Sequence, residues 1–189
     1  MATLVYSMGV SLDGFVAGPG GDISWSAPDE ELHRFHNRLV EAVDLQLCGR
    51  RLYETMLVWE TWEEEQPEAS AVELEFAPLW RATPKLVFSR TLERVEGNAQ
   101  LATGEAAEVV RRLKGEIEGE IDVGGAGLAA DLIRAGLVDE YRLFVSPVIL
   151  GAGVPFFPAV TERIDLDLLE TRDFGSRVAY LRCRAKDGG

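Results

Sequence analysis

The sequence predicts an α/β fold, with a mixed, mostly parallel sheet flanked by helices and antiparallel strands at its C-terminal end. Over the first two thirds of the chain, short apolar runs alternate with segments whose apolar residues have helical spacing. After Gly136, three apolar runs follow one another with no room for crossover helices, which favours antiparallel pairing. The chain has 189 residues, 47% of them hydrophobic, which is enough for one sizeable core. We therefore expect a single domain over residues 1–189.

The first half of the chain is predicted to begin with a strand at Leu4 to Val10, closed by turn residues at Asp13. Phe15 to Pro28 is rich in glycine and proline, which indicates a mobile loop that could close as a lid. Acidic residues from Asp29 onward suit a helix N-terminus, and apolar residues at helical spacing continue to Val43. The remaining predictions for this half are a strand at Asp44 to Cys48, a short helix at Arg50 to Met56, a solvated connection over residues 60–69 and a helix at Ala71 to Trp80.

The second half is predicted to alternate strands and helices as far as Gly136, which stops a helix. The predicted elements of this alternating part are a strand at Lys85 to Ser89, a helix at Glu105 to Lys114, a strand at Glu120 to Val123 and a helix at Leu128 to Arg134. The three predicted strands that follow are Tyr141 to Leu150, Leu166 to Arg172 and Arg177 to Arg184.

Composition argues against several partners and sites. The net charge of -13 repels nucleic-acid phosphates and anionic lipids, so we expect neither a nucleic-acid nor a membrane partner. No secretion signal and no apolar run of roughly 20 residues is present, so we expect a cytoplasmic protein. Cys48 and Cys183, in separate apolar runs, are interpreted as buried, reduced thiols. His33 and His36 have no further metal-type ligands beside them, so we expect no metal site.

The sharpest local signal for function is the run IDVGGAGLAADLI, where a predicted buried strand leads into glycines and then a helix. Backbone N–H groups at the start of such a helix can bind a pyrophosphate, and Gly125, Gly127 and Ala130 match the pattern GxGxxA. A complete dinucleotide fingerprint also has an acid at the end of the next strand. Here Asp139 and Glu140 stand at its beginning, so a glycine turn used only for tight packing remains the alternative.

Two further strand ends carry groups suited to phosphate. In LCGRRLYE, Gly49 is followed by Arg50 and Arg51, whose guanidinium groups can form charge-assisted contacts with a 2′-phosphate. In LVFSRT, Ser89 and Arg90 supply a hydroxyl and a guanidinium, although Arg90 could instead form a surface ion pair. Open α/β sheets bind ligands outside the carboxyl ends of their strands. The three turns together therefore predict one phosphate-binding groove.

These motifs, with SLDGFVAG near the N-terminus and VGGAGLAADLIRAGLVDEYRLFVSPVILGAGVPFF, resemble the reductases that share the RibD carboxyl-terminal domain. That family is a branch of the dihydrofolate reductase superfamily, and the resemblance spans essentially the whole chain in the right order. It implies a dihydrofolate-reductase-like fold that uses NADPH to reduce a small heterocyclic substrate. The implied substrate is pteridine- or pyrimidine-like, similar to that of the 5-amino-6-(5-phosphoribosylamino)uracil reductase branch.

The resemblance also implies roles for individual residues. Asp13, Gly14 and the stretch Phe15 to Ala17 correspond to the segment that closes over the nicotinamide. Leu52 stands where relatives often have threonine, so it lacks a hydroxyl contact but keeps its backbone N–H. The implied cofactor-binding residues are Val123, Gly124, Gly125, Ala126, Gly127 and Leu128 for the pyrophosphate and nicotinamide half, Gly49, Arg50, Arg51 and Leu52 for the other phosphates, Ser89 and Arg90 for the adenosine side, and Ala17 in the closing segment.

Two acids are candidates for the catalytic proton source. Glu30 corresponds to the acid near the start of the first helix that touches the pterin in dihydrofolate reductases, with helix opening as its alternative role. Asp13 is the second candidate, and turn formation is its alternative role. The riboflavin reductases proper carry Ala-Asp-Asp-Pro where this chain reads Arg51-Leu52-Tyr53-Glu54, so the substrate stays unassigned.

Three functions remain open from the sequence: an NADPH-dependent reductase, a true dihydrofolate reductase, and a non-catalytic nucleotide-binding protein with the same fold. We also expect a homodimer, because the apolar stretch Phe144 to Phe157 exceeds what a lone edge strand would comfortably expose, and related reductases often pair there. Completion of the core is the alternative role of that stretch.

Overall fold

The computed structural model of the chain describes residues 1–186. Its strands are β1 (Thr3–Ser11), β2 (Phe15–Ala17), β3 (Leu45–Gly49), β4 (Lys85–Phe88), β5 (Ala99–Leu101), β6 (Glu120–Gly124), β7 (Glu140–Ser146), β8 (Val154–Pro155), β9 (Leu166–Asp173) and β10 (Ala179–Ala185). Its α-helices are α1 (Glu30–Glu41), α2 (Arg50–Met56), α3 (Trp62–Glu65), α4 (Ala71–Ala82), α5 (Ala106–Glu116) and α6 (Ala126–Arg134). Short 3-10 helices occupy Pro19–Gly21, Ser24–Ser26 and Leu57–Glu60.

Eight strands form one sheet in the order β5-β4-β3-β6-β1-β7-β10-β9. Neighbours from β5 to β7 are parallel, whereas β10 is antiparallel to both β7 and β9. The prediction of a mixed, mostly parallel sheet with antiparallel C-terminal strands is confirmed. Strands β2 and β8 form a separate antiparallel pair.

Several local predictions differ from the structure. The strands β2, β5 and β8 are too short to show a hydrophobic period, so the sequence does not predict them. The strand predicted over Tyr141 to Leu150 ends at Ser146, because Pro147 has no N–H group to continue the ladder. The connection predicted over residues 60–69 includes α3, and the loop predicted over Phe15 to Pro28 includes β2 and two 3-10 helices. Both segments are more regular than predicted.

Helices cover both faces of the sheet. On the first face, α5 and α6 pack through Val110 and Leu132 against the largest cluster of buried side chains. This cluster includes Tyr6 of β1, which stacks on Phe156 with ring centroids 4.2 Å apart. On the second face, α1 packs on one apolar cluster, while α2 and α4 enclose another. Alternation along β6 puts Val123 on the first face and its two neighbours on the second.

The second face also carries a buried ionic network. Arg142 is 5% exposed and donates hydrogen bonds to both carboxylate oxygens of Glu120 and to Glu140. Arg182 donates two further hydrogen bonds to Glu140. Burial raises the pKa of Glu140, but the hydrogen bonds and charges of the two arginines outweigh it, so its pKa is lowered. The charges of Arg142, Arg182, Glu120 and Glu140 are therefore all paired.

Both cysteines are free thiols. Cys48 is buried in β3, but Cys183 of β10 is only partly buried, because β10 lies next to the edge strand; the prediction of burial is wrong for Cys183. Within residues 1–186, no helix is both long enough and apolar enough to cross a membrane. The same range contains no group of three His, Cys, Asp or Glu side chains that could hold a metal ion.

We predict that Arg142→Leu destabilises the protein by about 3 to 5 kcal/mol, because it leaves two largely buried carboxylates without their shared cation. The matched control is Arg163→Leu, which removes an exposed ion pair with Asp165 and is expected to change the stability by less than about 1 kcal/mol. Urea unfolding at pH 7 measures both values. Equal effects of the two substitutions would contradict the structural role assigned to the network.

Candidate functional site

The three turns that the sequence selects lie side by side. Strands β4, β3 and β6 are adjacent and parallel, so their carboxyl ends meet at the same edge of the sheet. In the register, Gly49 pairs with Phe88, and Cys48 pairs with Gly124. We call the turns at Gly49–Arg50, Ser89–Arg90 and Gly124–Gly125 the rim. The structure therefore brings the predicted phosphate-binding turns together at one edge.

Two glycine turns of the rim approach each other closely. A Cβ atom added to Gly125 would lie 3.5 Å from both the Cα and the N of Gly49. Gly125 also has a φ of 101°, a left-handed conformation that side-chain-bearing residues rarely adopt. Gly125 is the N-cap of α6 and supplies no side-chain cap, so the first N–H groups of this helix are available to a ligand.

Gly124 is required for a different contact. A Cβ atom at this position would overlap the Leu52 side chain and lie 3.3 Å from Nε2 of Gln46. Leu52 belongs to α2, so its side chain packs α2 directly onto the end of β6. Leu52 thus couples two turns of the rim by packing.

Three arginines at the rim are exposed: Arg50, Arg51 and Arg90. Within residues 1–186, none of them forms an ion pair. Arg50 donates a hydrogen bond to Oγ1 of Thr91 at 3.3 Å, which links the first turn to the second. Oγ of Ser89 accepts hydrogen bonds from the backbone N–H groups of Thr91 and Leu92. The rim therefore combines cationic side chains without an internal counter-ion and a hydroxyl that shapes its own turn.

Asp13 is held in a network of hydrogen bonds. Its carboxylate accepts hydrogen bonds from Oγ of Ser11 at 2.7 Å and from the N–H groups of Leu150 and Gly151. These bonds, led by that from Ser11, lower the pKa of Asp13. At neutral pH this carboxylate accepts hydrogen bonds and has no proton to give. These contacts fit the turn role of Asp13, and its catalytic role stays a prediction.

The segment after Asp13 is anchored by backbone pairing. Ala17 pairs with Val154 of β8, and the N–H of Phe156 donates to the carbonyl of Gly14. Gly153 is required at this point, because a Cβ there would overlap the Ala17 carbonyl. The predicted closing segment is thus tied to the loop that follows β7.

Glu30 is the first residue of α1, and its side chain is 71% exposed. It forms an ion pair with Arg34 at 2.5 Å, one helical turn further along. Asp29 caps the helix by accepting a hydrogen bond from the N–H of Leu32 at 2.9 Å. These contacts fit the role of a helix-opening acid, and the catalytic role of Glu30 stays a prediction.

Sequence reasoning missed one acid close to the rim. Asp122 lies on β6, two residues before Gly124 and on the same face. Its Oδ2 accepts a hydrogen bond from Nε2 of Gln46 at 2.9 Å, while its Oδ1 is buried without a partner. Burial raises the pKa of Asp122 to about 7, although the Gln46 hydrogen bond lowers it. An acid between the apolar residues Ile121 and Val123 of the predicted strand was the signal that could have identified it.

The two histidines of α1 contact aromatic side chains. His36 lies 4.3 Å from the Phe144 ring, and His33 lies 5.7 Å from the Phe76 ring and 6.1 Å from the Trp59 ring, measured between centroids. Burial lowers the pKa of His36 to about 4 and also lowers that of His33. Both histidines are therefore neutral packing residues at physiological pH.

The fold and the rim define an α/β protein of the dihydrofolate-reductase-like class. A family model described as the RibD C-terminal domain matches residues 2–180. The chain belongs to this family. A curated relative, uncharacterized protein YyaP of Bacillus subtilis (strain 168), is 33% identical over 181 residues, covering 94% of this chain and 92% of the relative.

Solved structures support the same fold. A proposed riboflavin biosynthesis protein from Shewanella sp. PV-4 superposes with a TM-score of 0.76 at 22% identity, covering 99% of this chain and all of that chain. A Thermotoga maritima deaminase and 5-amino-6-(5-phosphoribosylamino)uracil reductase superposes with a TM-score of 0.66 at 16% identity, covering 98% of this chain and 57% of that chain. Dihydrofolate reductase from Enterococcus faecalis, complexed with NADP(H), superposes with a TM-score of 0.61 at 14% identity, covering 98% of this chain and 97% of that chain. At these identities the comparisons establish the fold.

We predict that Gly124→Ala destabilises the protein by about 1 to 3 kcal/mol, because the added methyl group overlaps Leu52. The double variant Gly124→Ala/Leu52→Ala is expected to lose less stability than the sum of the losses of the two single variants, because Leu52→Ala removes the side chain that the new methyl group would overlap. Gly127→Ala is the matched control: it meets nothing within 4 Å and replaces a helical glycine, so stability is expected to be unchanged or slightly raised. Thermal and urea unfolding measure the four variants, and purely additive losses would exclude the packing contact.

Proposed function

We propose that this protein is an NADPH-dependent reductase that transfers a hydride to a small heterocyclic substrate with a C=N or C=O bond. The observation that carries the proposal is the convergence of three turns at one rim, with bare glycine backbone on one side and unpaired arginines on the other. Membership of the RibD C-terminal domain family indicates a reductase. The neighbouring reductase structures are consistent with this activity.

The residues present fit a phosphorylated dinucleotide. The Gly49 and Gly125 backbones lie against each other without side chains, and α6 begins there with N–H groups that no side chain caps. We assign Val123 to Leu128 to the pyrophosphate and nicotinamide half of NADPH. Arg50 and Arg51 would hold the 2′-phosphate, because guanidinium groups bind phosphate in a planar, bidentate manner. Ser89 and Arg90 would contact the adenosine side.

When bound, NADPH supplies the hydride, and the protein orients the two reactants and excludes water. Asp13 contributes by holding the turn after β1 against the N–H groups of Leu150 and Gly151. Ala17, on the segment anchored to β8, would lie over the nicotinamide. Leu52 would keep the α2 turn and the β6 turn at a constant separation through its contact with Gly124.

Dihydrofolate reduction is the less favoured candidate. In that reaction an acid near the start of the first helix touches the pterin, whereas Glu30 is exposed and paired with Arg34. A pyrimidine substrate agrees better with the Thermotoga maritima protein, which is a 5-amino-6-(5-phosphoribosylamino)uracil reductase. A non-catalytic nucleotide-binding protein is the third candidate.

Oxidation of NADPH followed at 340 nm separates the three candidates. We expect turnover with 5-amino-6-(5-phosphoribosylamino)uracil or a related pyrimidine, and little or none with dihydrofolate. Robust turnover of dihydrofolate that is lost in Glu30→Gln would instead establish a dihydrofolate reductase. Tight NADPH binding without turnover over a broad panel of pteridines and pyrimidines would establish the non-catalytic alternative.

We predict that Arg50→Ala and Arg90→Ala each weaken NADPH binding by about 10-fold or more, because each removes a charge-assisted contact with phosphate worth about 1.5 to 3 kcal/mol. If Arg50 binds the 2′-phosphate, its substitution leaves NADH affinity nearly unchanged. Arg111→Ala, an exposed arginine on α5, is the matched control and is expected to bind NADPH like the parent protein. Isothermal titration calorimetry measures the affinities, and unchanged NADPH binding in both rim variants would refute this cofactor site.

We also propose that the protein is a cytoplasmic homodimer. Within the apolar stretch Phe144 to Phe157, the two terminal positions differ: Phe144 is buried, whereas Phe157 is 44% exposed. Ile149 is 72% exposed, so part of this stretch completes the core and part remains at the surface. Analytical ultracentrifugation is expected to show a dimer that Ile149→Glu/Phe157→Glu converts to a monomer, and a monomeric parent protein would contradict the proposal.

A further inference from the structure

We propose that Asp122 holds the proton that the substrate takes up in this reduction, with Gln46 orienting its carboxyl group. The proposal rests on the proposed reductase function and adds the acid that this reaction requires. Reduction of a C=N or C=O bond needs a hydride at carbon and a proton at the heteroatom. The acids predicted from the sequence do not supply a proton well: Asp13 is an ionised acceptor, and Glu30 is exposed and paired.

Asp122 is placed directly beneath the rim. The Asp122 side chain lies on the second face of the sheet, on the central strand β6. Gly124 is two residues further along the strand on the same face, a distance of about 7 Å. Gln46 bridges these two positions: its Nε2 donates to Oδ2 of Asp122 at 2.9 Å and lies 3.3 Å from the Cβ position of Gly124. The carboxyl group is thus connected to the turn where the nicotinamide half of the cofactor is proposed to bind.

The neighbouring strand β1 is partly exposed toward the rim. On β1, Val5 pairs with Asp122, and Ser7 and Gly9 follow on the same face toward the rim. Val5 is fully buried, but Ser7 and Gly9 are partly exposed although β1 is a central strand. A flat ring lying over Ser7 and Gly9 would have Asp122 at its inner end.

Within residues 1–186, no cation forms an ion pair with Asp122, although the charge of Arg142 lowers the pKa of this carboxyl group. The guanidinium of Arg142, on β7, is engaged by Glu120 and Glu140, and Glu120 itself disfavours a second negative charge nearby. The other ionisable groups around Asp122 are Tyr6 of β1, Cys48 of β3 and Lys85, which faces the same side from β4. The ammonium group of Lys85 donates to the carbonyls of Trp80 and Thr83, away from Asp122.

An unpartnered oxygen is what a proton carrier needs. Oδ1 of Asp122 is buried and has no hydrogen-bond partner, so the neutral form leaves one polar atom unpaired there, whereas the ionised form leaves a charge unsolvated at a larger cost. Burial accordingly raises the pKa of Asp122 to about 7, close to physiological pH. This is the range in which an acid both carries a proton and releases it readily.

The step balances without a further reactant. When bound, NADPH would supply the hydride that forms the new C–H bond at the substrate carbon, and it would be left as NADP⁺. The O–H bond of Asp122 breaks, its proton bonds to the substrate nitrogen or oxygen, and the carboxylate is stabilised by Gln46. Solvent then returns a proton to Asp122.

The first experiment compares Asp122→Asn with Asp131→Asn, an exposed acid on α6 whose side chain is 69% exposed. For Asp122→Asn we expect the rate of NADPH oxidation with 5-amino-6-(5-phosphoribosylamino)uracil to fall by about 100-fold or more, with NADPH affinity changed less than about 3-fold. The rate of the parent protein should fall as the pH rises through about 7, and that limb should be absent from the variant. Asp131→Asn should behave like the parent. Unchanged turnover in Asp122→Asn overturns the proposal.

The second experiment keeps the test decisive if Asp122→Asn does not fold. Gln46→Leu removes a hydrogen bond that lowers the pKa of Asp122, so the falling limb of the pH profile should move to higher pH. A purely structural role for Asp122 predicts no such movement. An unshifted profile in Gln46→Leu therefore counts against the proposal.

A third measurement separates this proposal from the proposed function. In ¹³C NMR of aspartate-labelled parent protein, one carboxyl signal should titrate between about pH 6 and 8. This signal should be missing from Asp122→Asn, and the midpoint of its titration should change in Gln46→Leu. The parent protein could bind NADPH and yet oxidise it with none of the substrates in the panel. In that case the proposed reductase function fails, while this titration still decides whether Asp122 holds a proton. Absence of such a carboxyl group overturns the proton-holding role even if the protein is a reductase.

Asp122 also has a predicted effect on stability. Its pKa is raised on folding from an ordinary 3.8 to about 7, so the folded form binds more protons between these values, and stability falls as the pH rises through them. We predict that Asp122→Asn raises the melting temperature at pH 8 relative to the parent protein, and raises it less at pH 4. A melting temperature that changes equally at both pH values would show that folding does not raise the pKa of Asp122.

Discussion

The parallel alignment of β4, β3 and β6 is the constraint on which the site depends. Each strand returns to the same edge of the sheet because a helix or an extended connection precedes it, so the turns at Gly49, Ser89 and Gly124 meet there. The Gly49 and Gly125 backbones lie against each other there, and glycine provides the positive φ that the second turn requires. Any ligand that bridges these turns contacts three separate segments at once, which makes its affinity depend on the integrity of the whole sheet.

The second face of the sheet combines an apolar core with an unusual concentration of charge. Arg142 binds both Glu120 and Glu140, and Arg182 also binds Glu140, so the pKa of the buried Glu140 is lowered despite its burial. Asp122 lies beside this network but outside its hydrogen bonds, so it is the acid whose charge is opposed by its surroundings. The same arrangement that stabilises the fold therefore sets Asp122 apart chemically.

Much of the fold could be predicted because its elements carry local signals. The strand from Leu4, the helix from Arg50 to Met56 and the strand from Glu120 have clear periodicity and glycine boundaries, and the structure has them at nearly the predicted positions. The strands β2, β5 and β8 could not be predicted, since two or three residues show no period, and β2 and β8 also pair with each other across most of the chain. For the site, the sequence indicated glycines and arginines but not Asp122, because its burial depends on the flanking strands β1 and β3.

By itself, the sequence determined the chemistry of each turn: which glycines, arginines and hydroxyls stand at the end of which strand. These are local properties, since backbone conformation and strand periodicity depend on nearby residues. Only the tertiary structure decided that the turns adjoin one another, that Asp13 is bound by Leu150 and Gly151, and that Asp122 has no partner for one oxygen. Solvation and charge pairing are set by residues far apart in the chain, so they exist only once the sheet has formed.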